Sequence, residues 1–301
     1  MRHSLRLRIL FLIMPAVLVS PSGLRAQTDA EEMLKQLTAD RAAGYFQPFA
    51  DVVGANVNSG FYHSAAIPKA ELNIEFAIIA MGAAVGEDQE SFTASTPPGF
   101  DPATFQTATI FGGPGTLVTD DSTGLQYAGS GGIISTSIFP QFVPQLKVGS
   151  FLGTEAIVRF IALPESEDVP EVVQFGIGGR HSISQYFAEI PLDVAFGVFY
   201  NSFTAGDIID YKGIAAGVQA SKAWELFTVY GGLQWEESTM NLTYISEDPT
   251  VTNPAINIDL TGANTFRFTA GGALTLGIIK FFVDANFGSI TAFSGGIGIG
   301  S

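Results

Sequence analysis

The sequence contains no cysteine, and only 14% of its 301 residues are charged. Without cysteine there can be no thiolate nucleophile, no cysteine-ligated zinc or iron–sulfur cluster and no disulfide scaffold. The charge is also one-sided, since 14 lysines and arginines face 29 aspartates and glutamates. Proteins that bind nucleic acid need clustered cations, so this composition excludes nucleic acid as a partner.

A long hydrophobic run is missing as well. Beyond the N-terminus, no stretch holds the roughly 18 consecutive apolar residues that a membrane-spanning helix needs. Residues 1–26 have the three parts of a secretory signal: early arginines, an apolar run from Ile9 to Val19, and small or turn residues before Ala26. Removing this signal takes away four cations and no acid, so the exported chain is expected to be strongly acidic.

The segment after the signal is predicted to begin with an amphipathic helix. The sequence TDAE at residues 28–31 fits a capping box, and apolar residues follow at helical spacing, which predicts a helix over residues 29–43. Gly44 and Pro48 are expected to end or break it.

A loop rich in small residues and asparagine follows from Gly54 to Ala66. We expect residues 27–66 to form a separate N-terminal unit that plugs the periplasmic mouth of the next domain. The candidate plug contacts are Asn56, Asn58, Tyr62 and His63.

From about residue 69 the hydrophobic period changes to two, which is the period of a β-strand. Apolar residues alternate there with glycine, small residues, amides and single charges. The repeating segments lie near Glu71–Val85, Gln141–Gly149, Glu155–Ala162, Val173–Arg180, Leu192–Asn201, Gly213–Ser221, Phe227–Glu236, Phe266–Leu276, Lys280–Phe287 and Ile290–Gly300.

Two kinds of connection alternate between these segments. Some are short, and others, such as Pro164–Pro170, Thr204–Asp210 and Ser238–Leu260, are longer and polar. This alternation predicts an all-β fold over residues 67–301: an up-and-down antiparallel transmembrane β-barrel of about 10–12 strands. Residues 86–140 are expected to supply either another pair of strands or a large outer loop.

A soluble sandwich or a lipocalin-like barrel would also show alternation. Three features favour a membrane barrel. The polar side of each strand lacks the lysine- and glutamate-rich face of a soluble sheet, aromatic residues such as Trp224, Trp235 and Tyr244 lie near strand ends, and a secretion signal is present. We therefore expect the protein in the bacterial outer membrane, with membrane lipid and the barrel-assembly machinery as partners.

Four motifs carry a resemblance that covers most of the exported chain: PFADVVGANVNSGFYHSAA, VPQLKVGSFLGTEAIVRF, FGIGGRHSI and KAWELFTVYGG. They resemble an uncharacterised family of predicted outer-membrane β-barrels of Bacteroidota-type bacteria. The resemblance implies an architecture and a location but no activity. The helix and loop before the first strand are also similar to the N-terminal hatch of long-chain fatty-acid channels of the outer membrane.

Charged residues on the polar side of the strands are the candidate lumen residues. A cation at the middle of the lipid face costs about 2–4 kcal/mol, so these side chains are expected to point inward, where opposite charges can pair. They are Glu75, Glu155, Arg159, Arg180, Asp193, Glu236, Arg267, Lys280 and Asp284.

Other chemistry has weaker support in the sequence. A histidine-activated serine would need His181 with Ser182 or Ser184, but neighbouring strand residues point to opposite faces. The acidic runs Glu165–Asp168 and Asp120-Asp121 could hold calcium, although solvated loops are usually polar. We therefore expect no enzyme activity, no cofactor and no metal site.

Two functions remain open for such a barrel. The first is a narrow or gated channel for a small solute, and the sequence leaves open whether that solute is hydrophobic. The second is a closed structural or surface-binding barrel that uses its acidic loops and transports nothing. A barrel of 10–12 strands lies between filled eight-stranded barrels and open porins, so a wide diffusion pore is not expected.

Overall fold

The computed structural model describes residues 39–165, 170–187, 190–245 and 255–300. The predicted signal at residues 1–26, residues 29–38 of the predicted helix and residues 166–168 of the acidic run lie outside the described residues. The described chain contains one α-helix, two short 3₁₀ turns and fifteen strands. They are α1 (Ala39–Val57), β1 (Asn73–Ala84), β2 (Ser91–Ser95), β3 (Thr104–Ala108), β4 (Leu117–Thr119), β5 (Gln126–Ala128), β6 (Ile138–Phe151), β7 (Thr154–Leu163), β8 (Val172–Ser182), β9 (Asp193–Ala205), β10 (Ile209–Trp224), β11 (Phe227–Ile245), β12 (Ala255–Thr261), β13 (Phe266–Leu276), β14 (Ile279–Phe287) and β15 (Ala292–Gly300).

The barrel is a closed antiparallel ring with ten places for strands around its circumference. Each strand pairs with the next along the chain from β6 to β11, and β13, β14, β15, β1 and β6 complete the ring. β11 is long enough to pair with β13 over Phe227–Trp235 and with β12 over Thr239–Ile245, so β12 and β13 share one position. The predicted all-β, up-and-down barrel is confirmed, with ten strands.

Residues 86–140 add no strand to the barrel wall until β6 begins at Ile138. They form two small separate hairpins, β2–β3 and β4–β5. Of the two sequence-based alternatives for this region, the large loop is therefore the correct one.

The barrel is inverted relative to a soluble protein, with apolar side chains outside and polar ones inside. On β11, Leu233 is 68% exposed while the adjacent Gln234 is 6% exposed. On β1 the outward apolar face runs from Ile74 to Ala84. At about 3.3 Å per residue and a tilt of about 40°, this face is roughly 25 Å high, which is the height of the apolar band of outer-membrane barrels.

The two ends of the barrel differ in their connections. We call the end that carries the start of β1 and the end of β15 the terminal rim, and the end that carries residues 85–137 the loop rim. Tight turns at the terminal rim place Gly153 and Gly277 at positive φ, which glycine adopts at low cost. Two connections predicted to be long are shorter than expected: β9 and β10 are separated only by residues 206–208, and much of Ser238–Leu260 is strand.

Polarity reverses where β11 and β12 extend beyond the apolar band at the loop rim. Leu242 and Tyr244 point inward and are buried, so Tyr244 does not belong to an outward aromatic girdle. On the outer face, the Asn241 amide donates to Asp259 Oδ1 at 2.8 Å and also to Asn257. A polar outer face and an apolar inner face are typical of a strand that has left the lipid.

The helix lies inside the barrel, at the loop-rim half. It spans Ala39–Val57 and therefore continues through Gly44 and Pro48, which were expected to end it. Its buried side chains pack against the inward apolar residues of β11 and β12, and Gly44 leaves room for the ring of Phe92. Tertiary packing has overridden the local helix-breaking signals. Within the described ranges, no helix is both long and apolar enough to cross a membrane.

The chain then runs from Asn58 to Pro68 through the lumen toward the terminal rim, where β1 begins. Most of the sequence predicted as a loop, from residue 58 onward, is non-helical, whereas Gly54–Val57 is the last turn of α1. This extended chain therefore occupies the terminal-rim half of the lumen, and the helix occupies the loop-rim half.

Two neighbouring glycines of β13, Gly271 and Gly272, allow a test of which side chains face the lumen and which face the lipid. A Cβ at Gly271 would meet Tyr230 and Asp284 inside the barrel, whereas a Cβ at Gly272 on the outer face would meet only the Thr228 carbonyl at 3.8 Å. We expect Gly271→Val to lower the free energy of unfolding by about 1–3 kcal/mol through overpacking. Gly272→Val should change it little. Urea titration of the folded barrel in lipid measures both variants, and equal losses would contradict this assignment.

Candidate functional site

The site is the contact between the inner wall of the barrel and residues 39–68, which we call the plug. The plug consists of α1 and the extended chain from Asn58 to Pro68. Its helix ends inside the barrel, where the last carbonyl groups of a helix have no partner within the helix. The wall supplies those partners.

Two arginines of the wall bind the end of the helix. Arg267 Nη2 donates to Ala55 O at 2.9 Å. Arg159 Nη1 donates to Val57 O at 3.3 Å and to Ser59 O at 2.9 Å. Cations at the C-terminus of a helix also interact favourably with its dipole. The end of α1 is therefore fixed by both hydrogen bonds and charge.

Arg159 is fully buried and forms no ion pair with a described carboxylate. Its Nε donates to Gln145 Oε1 at 2.8 Å, and its guanidinium lies 4.1 Å from the centre of the Phe61 ring. Phe61 in turn stacks on Phe199 of the wall, with ring centres 4.0 Å apart. The charge of Arg159 is thus stabilised largely by groups of the plug.

The other two buried arginines have acidic partners on the wall. Arg267 pairs with Glu236 at 2.9 Å, and Arg180 Nε donates to Glu155 Oε1 at 2.8 Å. Arg180 also donates to Ser64 O of the plug at 2.7 Å. Each pair thereby joins a wall carboxylate to a plug carbonyl through one guanidinium.

Amide and hydroxyl groups bind the extended part of the plug. Gln234 donates to Asn58 O at 3.0 Å, and Asn201 donates to Asn58 Oδ1 at 3.2 Å. Nearer the terminal rim, Ser221 Oγ accepts a hydrogen bond from Ala65 N at 2.8 Å and lies 3.4 Å from Ser64 Oγ. The plug is therefore attached along the whole length of the lumen.

Contacts also fix the plug at the loop rim. Arg41 donates to Ser95 O at 3.0 Å and to the Tyr127 hydroxyl, which are on the two small hairpins. Gln47 donates to Thr261 O at 2.8 Å. Here the plug binds the loops and the end of β12 rather than the polar inner wall.

A separate polar cluster lies at the terminal rim around the buried carboxylate of Glu75. Lys280 Nζ is 2.6 Å from Oε2, Lys147 Nζ is 3.3 Å from Oε1, and His63 Nε2 is 3.2 Å from Oε2. The cluster borders a cavity of about 400 Å³. Its lining includes Asp193, Asn73, Thr228 and Thr275 in addition to His63 and the two lysines.

The carboxylate of Asp284 is satisfied without a cation. It accepts a hydrogen bond from the Tyr230 hydroxyl at 2.8 Å and others from Asn286 and Ser294. Tyr62 of the plug meets the Tyr230 ring edge-on, with ring centres 5.9 Å apart. This cluster therefore shapes the wall against which the plug rests.

The structure places the nine predicted lumen residues on the inner side of the barrel. Seven are buried, and Asp193 and Lys280 line the cavity at the terminal rim. The four plug contacts Asn56, Asn58, Tyr62 and His63 are all buried within the barrel. What brings the two sets together is the passage of the plug through the lumen.

Sequence reasoning missed Lys147 and the buried amides. Gln145 and Lys147 alternate with the outward Leu146 and Val148, so the period-two pattern of β6 was sufficient to place Lys147 inside. The amides were missed because only charged residues were considered. They include Gln145, Gln174, Asn201, Gln219 and Gln234.

His181 is not placed to activate a serine. Its Nδ1 is 2.7 Å from Thr154 Oγ1 and its Nε2 is 2.8 Å from the Tyr186 hydroxyl, near the terminal rim. Ser182 and Ser184 contact each other at 3.3 Å instead. A serine–histidine pair of the kind used in hydrolysis is therefore not formed at this position.

The acidic loop at Asp120 is satisfied by its own neighbours. Hydrogen bonds from Ser122, from the backbone N–H of Asp101 and from Thr123 hold the pKa of the Asp120 carboxyl well below its usual range. Within the described ranges, no group of three or more histidines, aspartates or glutamates is placed to hold a metal ion. The structure thus gives Asp120 a role in organising its turn.

Comparison with known protein families gives one match. The model of a family described as "Family of unknown function (DUF6588)" matches residues 1–301. The predicted resemblance to an uncharacterised family is confirmed by this match. No curated protein matches the chain.

Several solved structures show a weak likeness. The attachment invasion locus protein Ail of Yersinia pestis, in complex with sucrose octasulfate, is 10% identical, with a TM-score of 0.24 over 76% of this chain and 97% of that chain. OmpF of Salmonella typhi with daunomycin is 8% identical, with a TM-score of 0.25 over 77% and 98%. The toluene transporter TbuX of Ralstonia pickettii is 11% identical, with a TM-score of 0.27 over 84% and 97%. Similarity at this level carries no functional argument.

Proposed function

We propose that the protein, which belongs to this family of unknown function, is a gated channel for small solutes in the bacterial outer membrane. Because the family assigns no activity, the proposal rests on the contacts inside the barrel. In this proposal residues 39–68 are the gate, and the structure is the closed state. The terminal rim faces the periplasm and the loop rim faces outward, as short turns and longer loops do in outer-membrane barrels.

The observation that carries the proposal is that a separate segment fills the lumen. A barrel can close itself with side chains of its own wall, which cannot leave without unfolding the barrel. Here the wall groups Arg159, Arg180, Arg267 and Gln234 donate to backbone carbonyls of the plug. Water can replace each of these bonds, and a single intramolecular hydrogen bond contributes only about 0.5–1.5 kcal/mol net, or about 1.5–3 kcal/mol when a charged group takes part.

The residues that line the lumen also indicate which kind of solute could pass through it. The loop-rim half is lined by apolar residues, among them Leu242, Ile256 and Leu260, and the terminal-rim half by charges and amides. A solute that crosses must be small and must tolerate both environments. This supports a small solute that carries polar groups, and no step of the proposal requires an enzyme activity.

A second candidate function is a closed structural barrel. It is favoured by the number of buried ionic contacts, since Arg180–Glu155, Arg267–Glu236 and the Glu75 cluster all contribute to a fixed interior. Under this alternative the plug is a permanent core and the loops at the loop rim are the working surface. The two functions differ in whether the plug moves.

A reversible covalent lock tests this movement. Ser64 of the plug and Ser221 of β10 have hydroxyl oxygens 3.4 Å apart, and the chain has no cysteine of its own. The double variant Ser64→Cys/Ser221→Cys should therefore form one disulfide that ties the plug to the wall. In planar bilayers, with urea on one side at a concentration that leaves the barrel folded, we expect channel openings in the reduced protein and none in the oxidised protein.

The single variants Ser64→Cys and Ser221→Cys are the matched controls, because neither can form a disulfide within the chain. Both should open equally under oxidising and reducing conditions. The gate would be rejected, and the closed barrel favoured, if no channel openings were seen in three samples. These are the reduced double variant, the oxidised double variant and the wild type.

A further inference from the structure

We propose that the cavity at the terminal rim is a binding site for a small zwitterion in which an ammonium group and a carboxylate are separated by a short linker, as in a dipeptide. The site itself does not require the plug to move. The additional claim that this zwitterion is the transported solute rests on the proposed channel function.

The first observation is an excess of positive charge on one side of the cavity. Lys147 and Lys280 share the single carboxylate of Glu75, whereas the nearby Arg180 is already paired with Glu155. Even with His63 uncharged, one positive charge is left without an acidic partner. Each ammonium has three N–H donors, and the contacts with Glu75 use only one on each lysine. The remaining donors can bind a ligand carboxylate.

The second observation is an unpaired carboxylate on another part of the same cavity. Asp193 lines the cavity, and its side-chain carboxylate makes no hydrogen bond or ion pair with the side chain or backbone of a described residue. Lys222, on the strand that pairs with the start of β9, lies on the outer face and donates instead to Pro191 O. Asp193 is therefore available to bind a ligand ammonium.

The barrel topology sets the separation of these charges. Lys280 is on β14 and Asp193 is on β9, with three strands between them in one direction around the ring and five in the other. With strands about 4.8 Å apart and tilted by about 40°, the two backbones lie roughly 19 Å apart across the lumen. After both side chains extend inward, the gap suits a dipeptide better than a single α-amino acid. The cavity of about 400 Å³ can hold a ligand of that size.

A third observation concerns the middle of such a ligand. Asn73 lines the cavity, and its side-chain oxygen Oδ1 is buried without a hydrogen-bond partner among the described residues. A buried acceptor of this kind gains from any donor that reaches it. The peptide N–H of a dipeptide is such a donor, and neither a simple inorganic anion nor a hydrophobic solute would supply one together with an ammonium.

Calorimetric titration of the refolded wild-type protein in detergent with alanyl-alanine tests the proposal. We expect saturable binding that is weakened about tenfold or more with N-acetyl-alanyl-alanine, which lacks the ammonium, and with alanyl-alanine amide, which lacks the carboxylate. Inorganic phosphate should bind no better than the blocked peptides. If N-acetyl-alanyl-alanine or phosphate bound as tightly as alanyl-alanine, the proposal of a zwitterion site would be overturned in favour of a simple anion site.

The variant Asp193→Asn removes the carboxylate proposed to bind the ligand ammonium and leaves the lysines proposed to bind the ligand carboxylate. It removes no described hydrogen bond, so the barrel should fold, and it should abolish the preference for the free peptide over its acetylated form. Asp210→Asn is the matched control, because Asp210 pairs with Lys212 on the outer face at the loop rim. Unchanged preference in Asp193→Asn would overturn the proposal. Binding of alanyl-alanine by a protein that never conducts would refute the channel and leave the site standing.

Discussion

Replacing Arg159 with glutamine is expected to raise the frequency of channel openings in planar bilayers by about ten- to a hundredfold. Arg159 binds two carbonyls of the plug and the face of Phe61. A hydrogen bond to a charged group contributes about 1.5–3 kcal/mol, and each 1.4 kcal/mol changes an equilibrium about tenfold. The glutamine amide can replace one of the two hydrogen bonds from Arg159 to the plug in part, and the other is lost. The free energy of one lost bond corresponds to the expected ten- to hundredfold increase.

The barrel itself should tolerate this change. Arg159 forms no ion pair with a described carboxylate, so its removal leaves no buried acid uncompensated. Lys212→Gln is the matched control, because Lys212 is a cation of the outer face that pairs with Asp210 at the loop rim rather than with the plug. Openings that increase equally in both variants would indicate general loosening. No increase in Arg159→Gln, in a barrel shown to be folded, would contradict the role of this contact in closure.

Replacing Arg267 with methionine is expected to lower the free energy of unfolding by about 3–5 kcal/mol. The change leaves Glu236 buried on β11 with the Gln234 amide as its remaining partner. It also removes the donor to Ala55 O at the end of α1. Breaking one side of a buried ion pair is strongly destabilising because the other charge remains desolvated. The urea midpoint in lipid, read from the gel shift between folded and unfolded forms, measures the loss.

The double variant Glu236→Leu/Arg267→Met distinguishes the ion pair from the plug contact. If the uncompensated charge causes most of the loss, the double variant should recover more than half of it, since an apolar pair of similar volume is often neutral relative to a buried ion pair. A double variant as unstable as Arg267→Met alone would show instead that the contact with the plug dominates.

Much of the barrel could be predicted from alternation, because a strand with lipid on one side must separate its two faces. The pattern cannot tell which apolar face meets lipid and which meets protein, however. Leu242 and Tyr244 continue the alternation of β11, yet they face inward, since this part of the strand extends beyond the apolar band and packs on α1. The position of Tyr244 could not be predicted without the helix.

The helix was the least predictable element. A capping box and helical spacing favoured residues 29–43, whereas the described helix continues to Val57 through a glycine and a proline. Its stability depends on burial of Tyr45, Phe46 and Phe49 by parts of the chain that are distant in the sequence, from β1 to β12. Local signals carry no information about such contacts. For the same reason, the sequence indicated inward charges but not that three of them bind plug carbonyls.

The course of the plug also constrains how the barrel can assemble. The segment crosses the lumen once, beginning at the loop rim and continuing at the terminal rim into β1, which closes the ring by pairing with β15 from Glu75–Gly300 to Ala83–Ala292. Threading the 19-residue helix through a finished ring would draw its apolar side chains past the charges and amides of the wall. Closing the seam between β1 and β15 around a helix already in place avoids that passage. We therefore expect the helix to occupy the lumen before this seam closes during assembly.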